Sequence, residues 1–149
     1  MIVVERRNAD VRALNGIQYD PQQLVDDGRD WKGIHVRKPW GHEVEIYRNG
    51  ALSFWRLIIN PGAETSMHCH PGKRTVLMVE SGQCLIETLT GFHELVAGDI
   101  AHIERGAFHR TRTTKGAILV EVETPPNKND LVRLEDKYGR QGMAYESCA

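Results

Sequence analysis

Cysteine, unbalanced charge and long apolar runs are all scarce in this chain of 149 residues. The 3 cysteines, Cys69, Cys84 and Cys148, are odd in number and show no Cys-x-x-Cys spacing. That argues against a disulfide framework and against a cysteine zinc site, and points to a reducing, cytoplasmic setting. With 19 Lys+Arg against 20 Asp+Glu, the charge balance gives no reason to expect nucleic acid or an anionic membrane as partner. Apolar runs reach only about five residues, far below the ~20 that cross a bilayer. After Met1 only Ile2, Val3 and Val4 are apolar before charges arrive, so no secretory leader is expected.

What the chain does have is turn residues and 7 histidines. Its length suits one domain with a core of ordinary size. Residues 1–37 are polar on balance and are expected to wrap the outside of that domain. Within them Asp20 as N-cap, Pro21 as first helical residue and Gly28 as stop predict a short helix. From residue 36 short apolar runs alternate with turns such as Asn60-Pro61-Gly62, Ser81-Gly82, Gly98-Asp99 and Lys115-Gly116. Strands are predicted at 43–47, 52–59, 75–79, 83–89, 92–96, 100–103, 109–113 and 117–122. Asn49-Gly50 predicts a two-residue hairpin turn between the first two. No repeat of fixed period is visible. Many short strands with almost no helix between them indicate an all-β sandwich or barrel. Beyond Pro126, the spacing of Leu131, Leu134 and Tyr138 predicts a turn of helix stopped by Gly139.

His68 and His70 stand one residue apart, so on a strand both imidazoles face one side and Cys69 faces the other. His109, on a later strand, is a partner that a barrel would bring across from the pair. Three neutral imidazoles bind a transition metal and leave positions open for substrate or water. A His-x-His pair on a strand is also a common polar edge, and spacing alone leaves both readings open. His102 is either a fourth ligand, a proton shuttle or a barrel-wall histidine. Glu121 and Glu123 alternate with Val120 and Val122, and face either a cavity, as candidate bases, or solvent. Cys84 reads as core packing.

The glycines set these histidines in a wider pattern. Gly62, five residues, His68, one residue, His70 and then Gly82 follow the order of the first cupin motif. Gly98, seven residues, Gly106, two residues, His109 follow the second. Over about residues 38–123 the chain therefore resembles a cupin. This implies a double-stranded β-helix (jelly-roll barrel) holding one metal and often pairing as a dimer. Lys38-Pro39-Trp40-Gly41 at the front and the tail from Asp130-Leu131-Val132-Arg133 to Tyr138-Gly139-Arg140 resemble the type II phosphomannose isomerase domain. That domain is often fused to a mannose-1-phosphate guanylyltransferase. This chain has no room for the nucleotidyltransferase part, and the cupin is expected to stand alone. The implied organisation is an N-terminal extension at 1–37, a cupin domain at 38–140 and a tail at 141–149. The chain departs from the pattern in three ways. Arg74 and Thr75 stand where a metal-binding glutamate is usual, His68 replaces a usual glutamine, and Glu104 replaces a proline.

The resemblance implies a metal-dependent isomerase or epimerase of a phosphorylated or nucleotide-linked sugar. His68, His70 and His109 would hold one divalent ion, whether zinc, manganese, nickel, cobalt or iron. Glu121 or His102 would handle protons. Lys38, Lys73, Arg74, Arg110 and Arg140 are the candidates to grip an anionic sugar, with Lys73 and Arg74 expected at the cavity mouth. A homodimer is implied, with neither nucleic acid nor membrane as partner. Two other classes stay open: a non-catalytic sugar-binding or regulatory cupin, and a three-histidine iron dioxygenase.

Overall fold

Period-two alternation of side chains dictates most of the architecture. The computed structural model describes residues 1–139, so Arg140 and the tail at 141–149 lie outside the described residues. The order is β1 (Ile2–Val4), α1 (Asn8–Asn15), a 3-10 turn (Pro21–Leu24), β2 (His35–Lys38), β3 (Gly41–Arg48) and β4 (Ser53–Ile59). It continues with β5 (Met67–Cys69), β6 (Arg74–Thr88), β7 (Phe92–Val96), β8 (Ile100–Ile103), β9 (His109–Arg112), β10 (Ala117–Thr124) and β11 (Val132–Glu135). The fold is all-β, a double-stranded β-helix of two curled layers.

One layer runs β1-β8-β6-β10-β4-β3-β2 and the other β11-β5-β9-β6-β7, so β6 belongs to both. Only the β1–β8 pair is parallel among these strands. β6 passes from one layer to the other at Gly82, where φ is +79°. A Cβ there would lie 2.4 Å from the Gly116 carbonyl oxygen, so a side chain is excluded by contact as well as by conformation.

The inner faces carry the main core, including Trp55, Leu57, Leu77, Val79, Leu119 and Ile86. A second apolar cluster lies on the far side of the β5–β9–β11 layer. There Met67, Cys69, Phe108 and Val132 are covered by Ala13 and Leu14 of α1 with Ile17, Tyr19 and Leu24. The Asp10 carboxylate anchors this cover by accepting the N–H groups of Arg7 at 2.8 Å and Phe108 at 2.9 Å. Among the described residues no helix is long and apolar enough to cross a membrane.

Several expectations are corrected. Asp20 does cap its helix, accepting the Gln22 N–H at 2.9 Å. The helix is only a 3-10 turn, however, because Val25 is extended at φ −76° and ψ 135°. Gln22 and Gln23 offer no apolar stripe that packing would hold. β1 and α1 form where no element is predicted, and β2 straddles the expected boundary at residues 37 and 38. The runs at 75–79 and 83–89 are one strand, since Ser81-Gly82 bends the chain without ending its pairing. The β3–β4 hairpin loop spans 49–52, with the Asn49 Oδ1 accepting N–H groups from Ala51 at 2.8 Å and Leu52 at 2.9 Å. The tail forms strand β11 rather than a helix, pairing Val132 with Cys69 and Arg133 with His68. Strand pairing on β5 satisfies a row of backbone groups, and outweighs a weak helical periodicity.

Candidate metal centre

His68 on β5 is the register partner of His109 on β9, so the third histidine stands beside the pair on an adjacent strand rather than across the barrel. His70 follows just after β5. Ring centroids lie 5.0 Å apart for His68–His70, 4.5 Å for His68–His109 and 5.4 Å for His70–His109. One ligand nitrogen from each ring lies within 4.8 Å of the other two. Each Nδ1 is held by a backbone carbonyl: Ser66 for His68 at 2.8 Å, Asp130 for His70 at 2.6 Å and Ala107 for His109 at 2.9 Å. A carbonyl only accepts, so each Nδ1 carries the proton and each Nε2 keeps its lone pair. The buried His70 Nε2 has no partner among the described residues. Burial, with neighbouring imidazoles and cations adding to it, holds the pKa of His68 and His70 well below the ordinary range, and burial lowers His109 to about 4. Three neutral imidazoles with oriented, unshared lone pairs are what a divalent transition metal requires.

The imidazoles form one wall of a cavity of about 50 Å³. Leu57, Leu77 and Trp40 line its apolar side, and Glu121 reaches it from β10. Burial pushes the Glu121 carboxyl up to about 7, and the Glu123 charge adds to this against the opposing pull of Lys73 and Lys38. The cations of the cavity are matched in part. Lys73 pairs with Glu123 and also donates to the Asn127 carbonyl at 2.9 Å. Lys128 pairs with Glu43 and lies 4.1 Å over the Trp55 ring, while Lys38 is 3.7 Å from the same glutamate. Arg133, buried opposite His68, brings a fourth positive charge. The loop carrying Lys128 and Asp130 is tied to the chain start. Asn127 donates to the Leu24 carbonyl at 2.7 Å and Asn129 to the Val25 carbonyl at 3.1 Å. The Asp130 carboxylate accepts the Gly72 N–H at 2.8 Å, clamping the turn after His70.

Residues 55–123 match the cupin domain family. These residues form a cupin domain. Over 94% of its length the chain is 26% identical to the alginate biosynthesis protein AlgA of Pseudomonas syringae pv. tomato. Over the same share it is 27% identical to the mannose-1-phosphate guanylyltransferase of Escherichia coli. The chain spans 31% of the length of each. Among solved structures, a cupin-superfamily sugar phosphate isomerase from Silicibacter pomeroyi aligns with TM-score 0.53 at 20% identity. That alignment covers 57% of this chain and 59% of the other, and shows a shared fold.

Of the residues singled out from sequence, the cupin cavity gathers His68, His70, His109, Lys38, Lys73 and Glu121. Three others turn away from it, for one reason. His102 lies between inward Ala101 and Ile103, Arg74 precedes inward Thr75, and Arg110 lies between inward His109 and Thr111. His102 is exposed on the outer face, so it is no fourth ligand and no shuttle for this cavity. Arg110 is engaged by Glu87 at 3.0 Å. Arg74 is exposed on the outer surface, not at the cavity mouth. Arg140 lies outside the described residues. Thr75 is buried, and its hydroxyl has no partner among the described residues. Glu43, Lys128 and Arg133 line the cavity without having been singled out. The signal for Glu43 was its alternation with Val44 and Ile46 on β3, the same pattern that marked Glu121.

Proposed function

We propose that this cupin is a metal-dependent isomerase or epimerase acting on a phosphorylated or nucleotide-linked sugar. The observation that carries the reading is the convergence of three Nε2 lone pairs, each fixed by a carbonyl behind it, beside a carboxyl tuned to about 7. Relatives named for mannose 1-phosphate and for sugar phosphate support an anionic sugar as ligand.

His68, His70 and His109 would hold the ion. When bound, it supplies a Lewis acid for a carbonyl or hydroxyl oxygen. Glu121, close to half ionised near neutral pH, takes a proton from the carbon beside the sugar carbonyl and returns it to the neighbouring carbon, so no atom is gained or lost. Arg133, Lys38, Lys73 and Lys128 make that wall favourable to an anion, while the paired Glu43 and Glu123 keep the lysines fixed. Leu57, Leu77 and Trp40 exclude water from the reacting carbons.

The test is metal analysis of the purified chain with an aldose–ketose and epimerisation assay on phosphorylated and nucleotide-linked sugars. Bound zinc, manganese, nickel or cobalt with turnover is expected. H68A/H109A should lose the metal. E121Q should keep it and lose turnover by roughly 10²-fold or more. Iron with oxygen uptake in place of isomerisation, or sugar binding without metal or turnover, overturns the reading.

A further inference from the structure

The outer surface carries a second concentration of charge, built by topology rather than by one segment. β8 lies between β1 and β6, with Ile103 the register partner of both Val4 and Thr75. Residues that follow β1, follow β8 and open β6 therefore emerge side by side. They are Arg6 and Arg7, Glu104 and Arg105, and Arg74. The Glu104 N–H donates to the Val4 carbonyl at 3.0 Å, and the Arg6 N–H donates to the Glu104 carboxylate at 2.9 Å. Between them runs a groove of about 430 Å³ lined by the four arginines, Glu104 and Asn8. Gly106 makes room for one of them, since a Cβ there would sit 3.1 Å from the Arg6 Nε.

Of the other surface arginines four are paired with acids, while Arg12, Arg29 and Arg37 are exposed but do not line this groove. Arg48, Arg56, Arg110 and Arg112 each have a carboxylate within 3.0 Å. Among the described residues no side-chain ion pair joins Arg6, Arg7, Arg74 or Arg105 to an acid. Four guanidiniums around one groove repel each other, and the carboxylates of Glu104 and Asp10, each held by a backbone N–H of this segment, offset only part of that. Each presents a planar fork of donors suited to phosphate oxygens.

We propose that this groove binds the diphosphate group of a small molecule, at a site separate from the histidine cavity. The forks arrive from three chain segments around a groove of about 430 Å³, so two linked phosphates can reach more of them at once than one phosphate can. The chain's net charge of −1 gives no general attraction for a long polyanion such as a nucleic acid, which favours a compact anion. Arg74 turns outward as Thr75 turns inward. A direct link to the cavity is the Gly106 N–H, which donates to the His70 carbonyl at 2.9 Å. The site stands whether or not the cavity is catalytic.

The probe is inorganic pyrophosphate, titrated calorimetrically into the full chain at low and at moderate salt. Saturable binding that weakens with salt is expected. R74E/R105E should weaken it by about tenfold or more, and R74Q/R105Q by a smaller factor. H68A/H109A should leave it within about twofold. Thermal melting establishes that each variant is folded, and the Gln pair carries the test if the Glu pair is not. Absence of saturable binding, unchanged affinity in a folded groove variant, or loss of binding in H68A/H109A overturns the proposal. The last result would place the anion in the cavity and leave the isomerase reading intact.

Discussion

Replacing Glu121 by Gln should make the metal-free protein more stable, and increasingly so as pH rises. Burial holds the Glu121 carboxyl at about 7 instead of its ordinary 4.5. At ~1.4 kcal/mol per pKa unit, ionising it in the folded chain costs at most about 3 kcal/mol more than in the unfolded chain. The folded chain keeps the proton up to about 7, and the unfolded chain releases it near 4.5. Between those values the folded state binds more protons, so stability falls as pH rises through the window. Gln cannot ionise and escapes that loss. The advantage of E121Q over the parent should therefore grow by about 2 kcal/mol between about pH 5 and about pH 8. For a chain of this size that is roughly 4–8 °C in Tm. Urea and thermal unfolding of both proteins in chelator, across the pH range, measure the difference. The buried histidines titrate in both proteins and cancel. Stability profiles that stay parallel over the whole range would refute the burial of this carboxyl as the cause.

The histidines give the opposite slope. With His109 lowered to about 4 from 6.5, the unfolded chain binds more protons in that window, and acidification destabilises the folded state. Relative to H109Q, the metal-free parent should lose about 3 kcal/mol between about pH 7 and about pH 4, read from urea midpoints. Equal losses in the two proteins would show that His109 is not held neutral by the fold. Thr75→Val should stabilise the chain by roughly 1 kcal/mol in urea unfolding without changing metal content, because the buried Thr75 hydroxyl has no partner among the described residues to lose. A destabilised T75V would mean that the hydroxyl is engaged.

Much of this was legible in the sequence, because strands expose their own logic. The runs at 92–96 and 100–103 coincide with β7 and β8, and period two alone puts His68 with His70, and Glu121 with Glu123, on one strand face. That those faces turn to the cavity emerges only in the fold. The same rule, applied to Ala101-His102-Ile103 and to His109-Arg110-Thr111, would have set His102 and Arg110 outside the cavity. What could not be read was long-range. β11 forms because β5 offers it an edge, and β1 because β8 does, at separations no local pattern encodes. The carbonyl that orients His70 belongs to Asp130, 60 residues away. A backbone carbonyl leaves no trace in residue identity.

Because β6 belongs to both layers, the two broad walls around the three histidines are covalently a single piece. Sliding one past the other would have to wrench the chain at Gly82, where backbone from β10 is already in contact. Another side of that space is lined by the loop bearing Lys128 and Asp130, latched to Leu24 and Val25 through Asn127 and Asn129. Those fastenings are polar, and water can substitute for them at little cost. Residues 24 and 25, which line no part of the cavity, are thereby tied to the loop whose Asp130 carbonyl orients His70.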